Sequence, residues 1–343
     1  MESTTIAVDL AKSVFQIAVS HHPGKVASSQ RLSRSGLLRF FAQQSPSRVL
    51  LEACGSSHYW ARQLQQLGHE VVLLPPHAVR RYVRRDKTDA ADAKALLEAA
   101  RNDEILPVPV KSLAQQTLSS VHRMRSAWMA ERVARLNLLR GLLRELGVLI
   151  PVGAGQVLVR VRAELAEPAG QIPPPLHLLL REAGEEIEQL ERRIRMAEKQ
   201  LAALGAQTPV VGRLRSIPGI GLLSATALVA FVGNVERFAT CRHLASFLGL
   251  TAREHSSGSR RHLGRITKCG DRYLRYLLIH GARAVLSAAS RCEHPDRLGA
   301  WALQVQQRRG SNKATVALAN KLARIVWSVW RHDTVYQSRP GTA

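Results

Sequence analysis

Carboxylates are scarce in this chain: 26 Asp and Glu stand against 49 Lys and Arg among 343 residues, a formal charge of +23. Such a surplus fits a polyanionic partner, most simply nucleic acid or an anionic membrane surface. Cysteine is sparse too. Cys54, Cys241, Cys269 and Cys292 are scattered with no C-x-x-C pair, so neither a disulfide framework nor a zinc site is expected. Long apolar runs are missing: the longest uncharged one, Leu222–Val232, is too short to span a bilayer. Asp9 and Lys12 interrupt the first apolar stretch before an export signal could form, so a soluble, cytoplasmic protein with no membrane partner is expected. There is no G-x-x-x-x-G-K-[ST], hence no sign of ATP use through a P-loop. Apolar residues still make up 45% of the chain, enough for two or three packed cores.

The positive charge is spread unevenly. Residues 1–100 carry a net +5, 101–204 a net +3 and 205–343 a net +15, so the last third is the expected polyanion-binding part.

Residues 4–10 and 14–19 read as a strand and its hairpin partner, with a weaker third strand at 26–32 after His22-Pro23-Gly24. A helix at 36–44, a short buried strand at 48–53, an amphipathic helix at 58–67 capped by Gly68 and a strand at 70–74 follow. The order βββαβαβα predicts helices on the faces of a mixed sheet. Lys87-Thr88-Asp89-Ala90-Ala91-Asp92 then reads as a helix start whose two carboxylates, three residues apart, stack on one face. Their repulsion calls for a cation between them, which the upstream Arg80-Arg81 and Arg84-Arg85 could supply as well as a metal could. Asp9 and Glu52 end otherwise apolar runs, where a buried carboxylate is costly unless paired or metal-bound. Asp9, Glu52, Asp89 and Asp92 together form an oxygen-only donor set suited to Mg²⁺ or Mn²⁺. Carboxylate-held divalent ions beside a basic surface suggest phosphodiester chemistry. Strand-end acids facing water are the plain alternative.

Residues 115–149 form one long expected helix, 151–175 are rich in Gly, Pro and Ala and read as a linker, and Ile187, Leu190, Ile194, Ala197, Leu201 and Leu204 form a heptad seam. The seam suits packing within one chain or between two. Pro218-Gly219-Ile220-Gly221 ahead of an apolar helix is a helix-hairpin-helix signature, in which backbone N–H groups near Gly219 and Gly221 approach a phosphate. The most basic stretch comes next: Arg253, His255, Arg260, Arg261, Arg265, Lys268, Arg272 and Arg275 surround Ser256-Ser257-Gly258. Those cations could bind a scissile phosphate and activate a serine, with His255 as base or as a phosphate contact. Helices are expected over 272–289 and 313–331.

Ala7-Val8-Asp9-Leu10-Ala11-Lys12, Glu52, Lys87-Thr88-Asp89, Asp92, Pro218-Gly219-Ile220-Gly221, Ser256-Ser257-Gly258 and Gly264-Arg265-Ile266-Thr267-Lys268 up to Leu274-Arg275 resemble, as an ordered set, the DEDD transposases of the insertion-sequence 110 family. The likeness runs over almost the whole chain. It implies an α/β plus all-α protein: a RuvC-like, RNase H-like mixed-sheet domain at 1–110, central coiled-coil helices with the linker at 111–206, and a helical domain with helix-hairpin-helix and catalytic serine at 207–343. It further implies that Asp9, Glu52, Asp89 and Asp92 bind the metal. By the same resemblance Ser257, with Ser256 as second choice, would form a covalent phosphoserine link to DNA, a bridge RNA would choose donor and target DNA, and the tetrad of one subunit would meet the serine of another in a dimer or tetramer. Ala7, Ala252 and Asp271 depart from residues common in the family, which touches backbone geometry around both sites. Two rival readings stand beside it: a RuvC-type nuclease in which water attacks, and a non-enzymatic nucleic-acid-binding protein.

Overall fold

Period-two alternation in Thr5–Leu10 (β1) and Val14–Ser20 (β2) divides their side chains between two cores, one on each face of a sheet. The computed structural model describes residues 4–23, 25–83, 88–167 and 170–338. Ser28–Ser33 (β3), Arg48–Glu52 (β4) and Glu70–Leu74 (β5) complete five strands in the order β3-β2-β1-β4-β5. β1 pairs antiparallel with β2 and β2 with β3, whereas β1–β4 and β4–β5 are parallel. This mixed sheet is compatible with an RNase H-like domain. β3 lies slightly later than 26–32 and is an exposed edge strand, its Ser, Gln and Arg side chains facing water while its backbone extends the β2 ladder.

Helices α1 (Arg34–Ala42) and α2 (Ser57–Gln66) cover one face, where Phe15, Ile17, Val49 and Leu51 meet Leu37, Phe41, Trp60 and Leu64. The other face carries α3 (Pro76–Val79) and α4 (Asp89–Ala99), packed through Ala7, Ala18, Leu50, Ala93 and Leu96. α4 begins at the expected Asp89. Thr88 caps it, accepting from the Ala91 N–H at 3.2 Å.

Contact density divides the chain into two compact units, Met1–Ala114 and Gln115–Ala343. In the second, α5 (Leu113–Glu145) and α7 (Pro174–Ala206) run antiparallel: Arg125–Glu198 at 2.7 Å, Arg132–Glu191 at 2.6 Å and Arg135–Glu186 at 2.7 Å step along them in opposite senses. The heptad residues Ile187, Leu190, Ile194, Ala197 and Leu201 are buried in the same helix, so the seam packs within one chain. Between the two lies α6 (Gly155–Ala166), inside the stretch read as a linker. Val157 and Val161, one helical turn apart, seat it against Leu139, Leu143 and Ile187. Gly and Pro cluster at the ends of that segment, which hid the periodicity between them.

α8 (Pro209–Arg215), α9 (Leu222–Val232), α10 (Cys241–Phe247), a hairpin of β6 (Ala252–Glu254) and β7 (Leu263–Ile266), α11 (Arg272–Ala289), α12 (Arg297–Arg309) and α13 (Ser311–Arg331) follow. α9 is apolar on every side and forms the centre of this core, as a helix without a polar face must. No helix among the described residues is long and apolar enough to cross a membrane.

Two contacts hold the core of the second unit in register. His122 on α5 is fully buried and bridges Thr226 of α9 (3.0 Å) and Tyr273 of α11 (3.1 Å). Thr226 donates to Leu222 O, so its oxygen accepts from Nε2–H and leaves Nδ1 to accept from the tyrosine hydroxyl. Burial, helped by the Arg125 charge, pushes the His122 pKa down to about 4. The second contact joins Gly219 to Gly281 of α11. A Cβ on Gly281 would stand 2.1 Å from Gly219 O, and one on Gly219 2.7 Å from Gly281 O.

His122 is neutral in the fold, whereas the unfolded chain takes up its proton below about pH 6.5, so stability falls as pH drops from 6.5 through 4. The expected loss is about 3 kcal/mol by pH 4. Denaturant melts of the protein and of His122→Asn at pH 7 and pH 4 check this, the variant lacking that component. Gly281→Ala is expected to cost about 1–3 kcal/mol through overpacking. Gly212→Ala in α8, whose Cβ would meet nothing within 4 Å, is expected to be neutral or stabilising in the same melts.

Candidate active site

Parallel pairing fixes where the first two acids go. β1 and β4 pair from Thr5↔Arg48 to Val8↔Leu51, so Asp9 and Glu52 stand abreast one step further, at the carboxyl ends of neighbouring strands. Ala7 and Leu50, two residues earlier, belong to the α4-side core, and the pleat therefore turns Asp9 and Glu52 toward the same face. Both are half-buried, and each engages a neighbour. The first turn of α4, which packs on β1, carries exposed Asp89 and half-buried Asp92. All four acids thus lie on one side of one sheet. Their donors are all oxygen, a chemistry that fits a hard divalent cation. Among the described residues, however, no three His, Cys, Asp or Glu side chains gather closely enough to hold a metal ion. Arg80 and Arg81 form a single 3₁₀ turn, while Arg84, Arg85 and Lys87 fall outside the described residues.

The serines sit at the end of the β6–β7 hairpin. Ser257 and Arg260 exchange both backbone hydrogen bonds, at 3.3 and 3.1 Å, closing a two-residue turn over Gly258 and Ser259. Gly258 takes φ +55° there, which such a hairpin turn requires of its first central residue. The two serines differ in what they touch. Ser256 Oγ donates to Glu254 Oε1 at 2.8 Å and accepts from the His262 N–H at 3.2 Å. Arg261 Nε donates to the same Glu254 oxygen at 3.2 Å. These bonds hold the Glu254 carboxyl below its usual pKa, the Ser256 bond first and Arg261 second. The Ser257 hydroxyl has no partner among the described residues. Ser256 is therefore a brace, and Ser257 presents a free hydroxyl at the tip.

Sequence reasoning passed over Glu254. Its signal was its position two residues before Ser256, which in extended chain sets both side chains on the same side.

The cations divide in the same way. His255, Arg260, Arg261 and Arg265 are exposed on the hairpin, and Arg272 on the first turn of α11. Arg253 donates to Thr267 O at 3.1 Å and Arg275 to the Leu248 and Cys269 carbonyls at 3.2 and 3.3 Å, so these two brace the hairpin base. Gly249 and Gly270 let the chain cross itself there: a Cβ on either would meet a backbone oxygen at 2.0 or 1.9 Å. In the α8–α9 connection, Gly219 has φ +80° and packs on α11, whereas Gly221 is exposed and precedes the first turn of α9. Residues 222–224 keep N–H groups ahead of the first helical bond, from Ala225 to Gly221 O at 2.9 Å.

Comparison with known proteins gives two family matches along the chain. Residues 6–148 match the family model for DEDD transposases of the IS110 type, and residues 211–298 the model described as "Transposase IS116/IS110/IS902 family". A probable family 20 transposase of Pseudomonas aeruginosa is 42% identical over 342 residues, covering 99% of this chain and 100% of its own. The transposase for insertion sequence element IS1111A of Coxiella burnetii is 34% identical across 97% of this chain and 91% of its own. The transposase for IS1328 of Yersinia enterocolitica is 34% identical across 97% and 98%. With relatives at this identity along nearly their whole length, and with acids on one sheet face and a serine-tipped basic hairpin, the chain belongs to the IS110 family of insertion-sequence transposases.

Proposed function

We propose that this transposase cuts and rejoins DNA through a covalent phosphoserine at Ser257. The observation that carries this reading is the free Ser257 hydroxyl at the tip of a cationic hairpin, beside a Ser256 whose hydroxyl is already committed to Glu254 and His262. Ser257 Oγ attacks a DNA phosphorus: an Oγ–P bond forms, one P–O bond to deoxyribose breaks, and the serine proton leaves as the departing oxygen gains one. His255, two residues away, is the proposed proton acceptor. Arg260 and Arg261, next to the turn, stabilise the anionic transition state. A hydroxyl of the partner DNA end then reverses the step, so no phosphodiester energy is lost and no nucleotide hydrolysis is needed.

Asp9, Glu52, Asp89 and Asp92 would hold Mg²⁺ or Mn²⁺, which when bound polarises phosphoryl oxygens and stabilises a leaving alkoxide. Asp9 and Glu52 stand abreast at neighbouring strand ends, where a divalent cation would offset the repulsion between two carboxylates. The exposed Gly221 end of α9 is proposed to contact phosphate through its backbone. Contacts of that kind carry no sequence information. Choice of donor and target DNA is therefore assigned to a bridge RNA of the element, and assembly to a dimer or tetramer that joins carboxylates and serine on one phosphodiester.

With cognate DNA, RNA and Mg²⁺, Ser257→Ala is expected to lower strand cleavage at least about a thousandfold, as loss of a nucleophile does. Ser256→Ala, losing two hydrogen bonds worth about 1 kcal/mol each, is expected to stay within about thirtyfold. Undiminished cutting by Ser257→Ala would instead identify a nuclease in which water attacks. Asp9→Asn is expected to abolish cleavage while leaving DNA binding within about twofold, measured by gel assay and fluorescence anisotropy; retained cleavage would remove Asp9 from the site.

A further inference from the structure

Beside the hairpin base, in the second unit, lies an open cavity of about 1550 Å³. Arg265 and Lys268 reach it from the hairpin, Lys313, Lys321 and Arg324 from α13, and Trp301 from α12. No Asp or Glu lines it. The three α13 cations recur at intervals of eight and three residues, so they share one helix face and span about 16 Å.

The cations that join α5 to α7 are paired. Arg125, Arg132 and Arg135 on α5 each meet a glutamate of α7. None of the five cavity cations has a carboxylate partner among the described residues. Lys321 lies half-buried with its ammonium 3.8 Å from the Trp301 ring centre, which fixes it in place. Arg297 and Arg324 add like charge to that burial, and together these hold its pKa below the usual lysine value. Lys268 keeps φ at +56°, a conformation that costs less with glycine or asparagine. Arg265, Lys268, Lys313 and Arg324 are exposed around half-buried Lys321, and a polyanion lying along them gains from all five like charges.

We propose that this groove holds the sugar-phosphate backbone of the DNA whose scissile phosphate lies at Ser257, Arg265, Lys268, Lys313, Lys321 and Arg324 each facing a phosphate. The occupant is taken as DNA because the groove is continuous with the hairpin base, so this inference rests on the reading of Ser257 given above. Ala252 to Ser257 is five residue steps, at most roughly 17 Å of extended chain. At 3.4 Å per nucleotide, the groove therefore engages the backbone within about five nucleotides of the cut.

The test uses full-length protein and a 40-base-pair duplex of arbitrary sequence, since phosphate contacts are sequence-independent. Affinity is measured by anisotropy from about 0.05 to 0.3 M salt. Lys313→Gln/Lys321→Gln/Arg324→Gln is expected to lower the slope of log K against log salt by about 2.7 and, at 0.15 M, to weaken binding about a hundredfold. Arg192→Gln/Arg193→Gln/Lys199→Gln on the outer face of α7 serves as control and is expected to change neither. Should the first triple variant fail to fold, exposed Lys313→Gln alone is expected to lower the slope by about 0.9. An unchanged slope overturns the proposal. So does a loss confined to a parallel arm with single-stranded RNA of equal length, which would make the groove an RNA site. Cleavage by Ser257→Ala would sink the phosphoserine reading while leaving these binding slopes as they are, so the two failures can be told apart.

Discussion

Backbone pairing register decides where the four acids and the two serines stand. A shift of one residue between β1 and β4 would turn Asp9 or Glu52 to the opposite core, where α1 and α2 leave no room for a carboxylate. The same holds for the hairpin: because Ser257 and Arg260 close the turn, Ser256 faces Glu254 and the His262 N–H while Ser257 stays free. One class of interaction, the strand ladder, thus positions both the acids and the serine. Side-chain packing then enforces it, through small residues on the α4 side of the sheet and through Gly249 and Gly270 under the hairpin.

Charge is organised on top of that frame in two different ways. Along α5 and α7, arginines are neutralised by glutamates across the seam and serve the fold. Around the hairpin, Arg261 alone meets a carboxylate, that of Glu254, and the cavity cations Arg265, Lys268, Lys313, Lys321 and Arg324 have none among the described residues. Arg253 and Arg275 show that a basic residue in a basic stretch need not face the ligand: their guanidinium groups hold carbonyls at the hairpin base. Trp301, remote in sequence from the serines, belongs with the ligand-facing set because it fixes Lys321.

Much of the first unit was legible from periodicity. β1, β2, β4, β5 and the start of α4 follow from alternating apolar residues and from Thr88 ahead of two aspartates. α6 was not, because glycine and proline at its ends outweighed the spacing of Val157 and Val161. The role of Gly219 was half legible: its turn conformation could be read, but its contact with Gly281 depends on a packing partner far along the chain. Ser256 and Ser257 are alike in sequence and separate only once the turn is closed. Arg265 and Lys268 were legible as basic residues near the serines, but Lys313, Lys321 and Arg324 were not, since α11 and α12 must fold before they line the same cavity.

Mapping of the covalent protein–DNA linkage tests the central claim most directly. A duplex nicked so that the cleaved end diffuses away would trap the intermediate, and mass spectrometry of the digested adduct would locate the nucleotide-bearing residue. The account requires that residue to be Ser257. A linkage at Ser256, or no linkage while the DNA is cut, would contradict it.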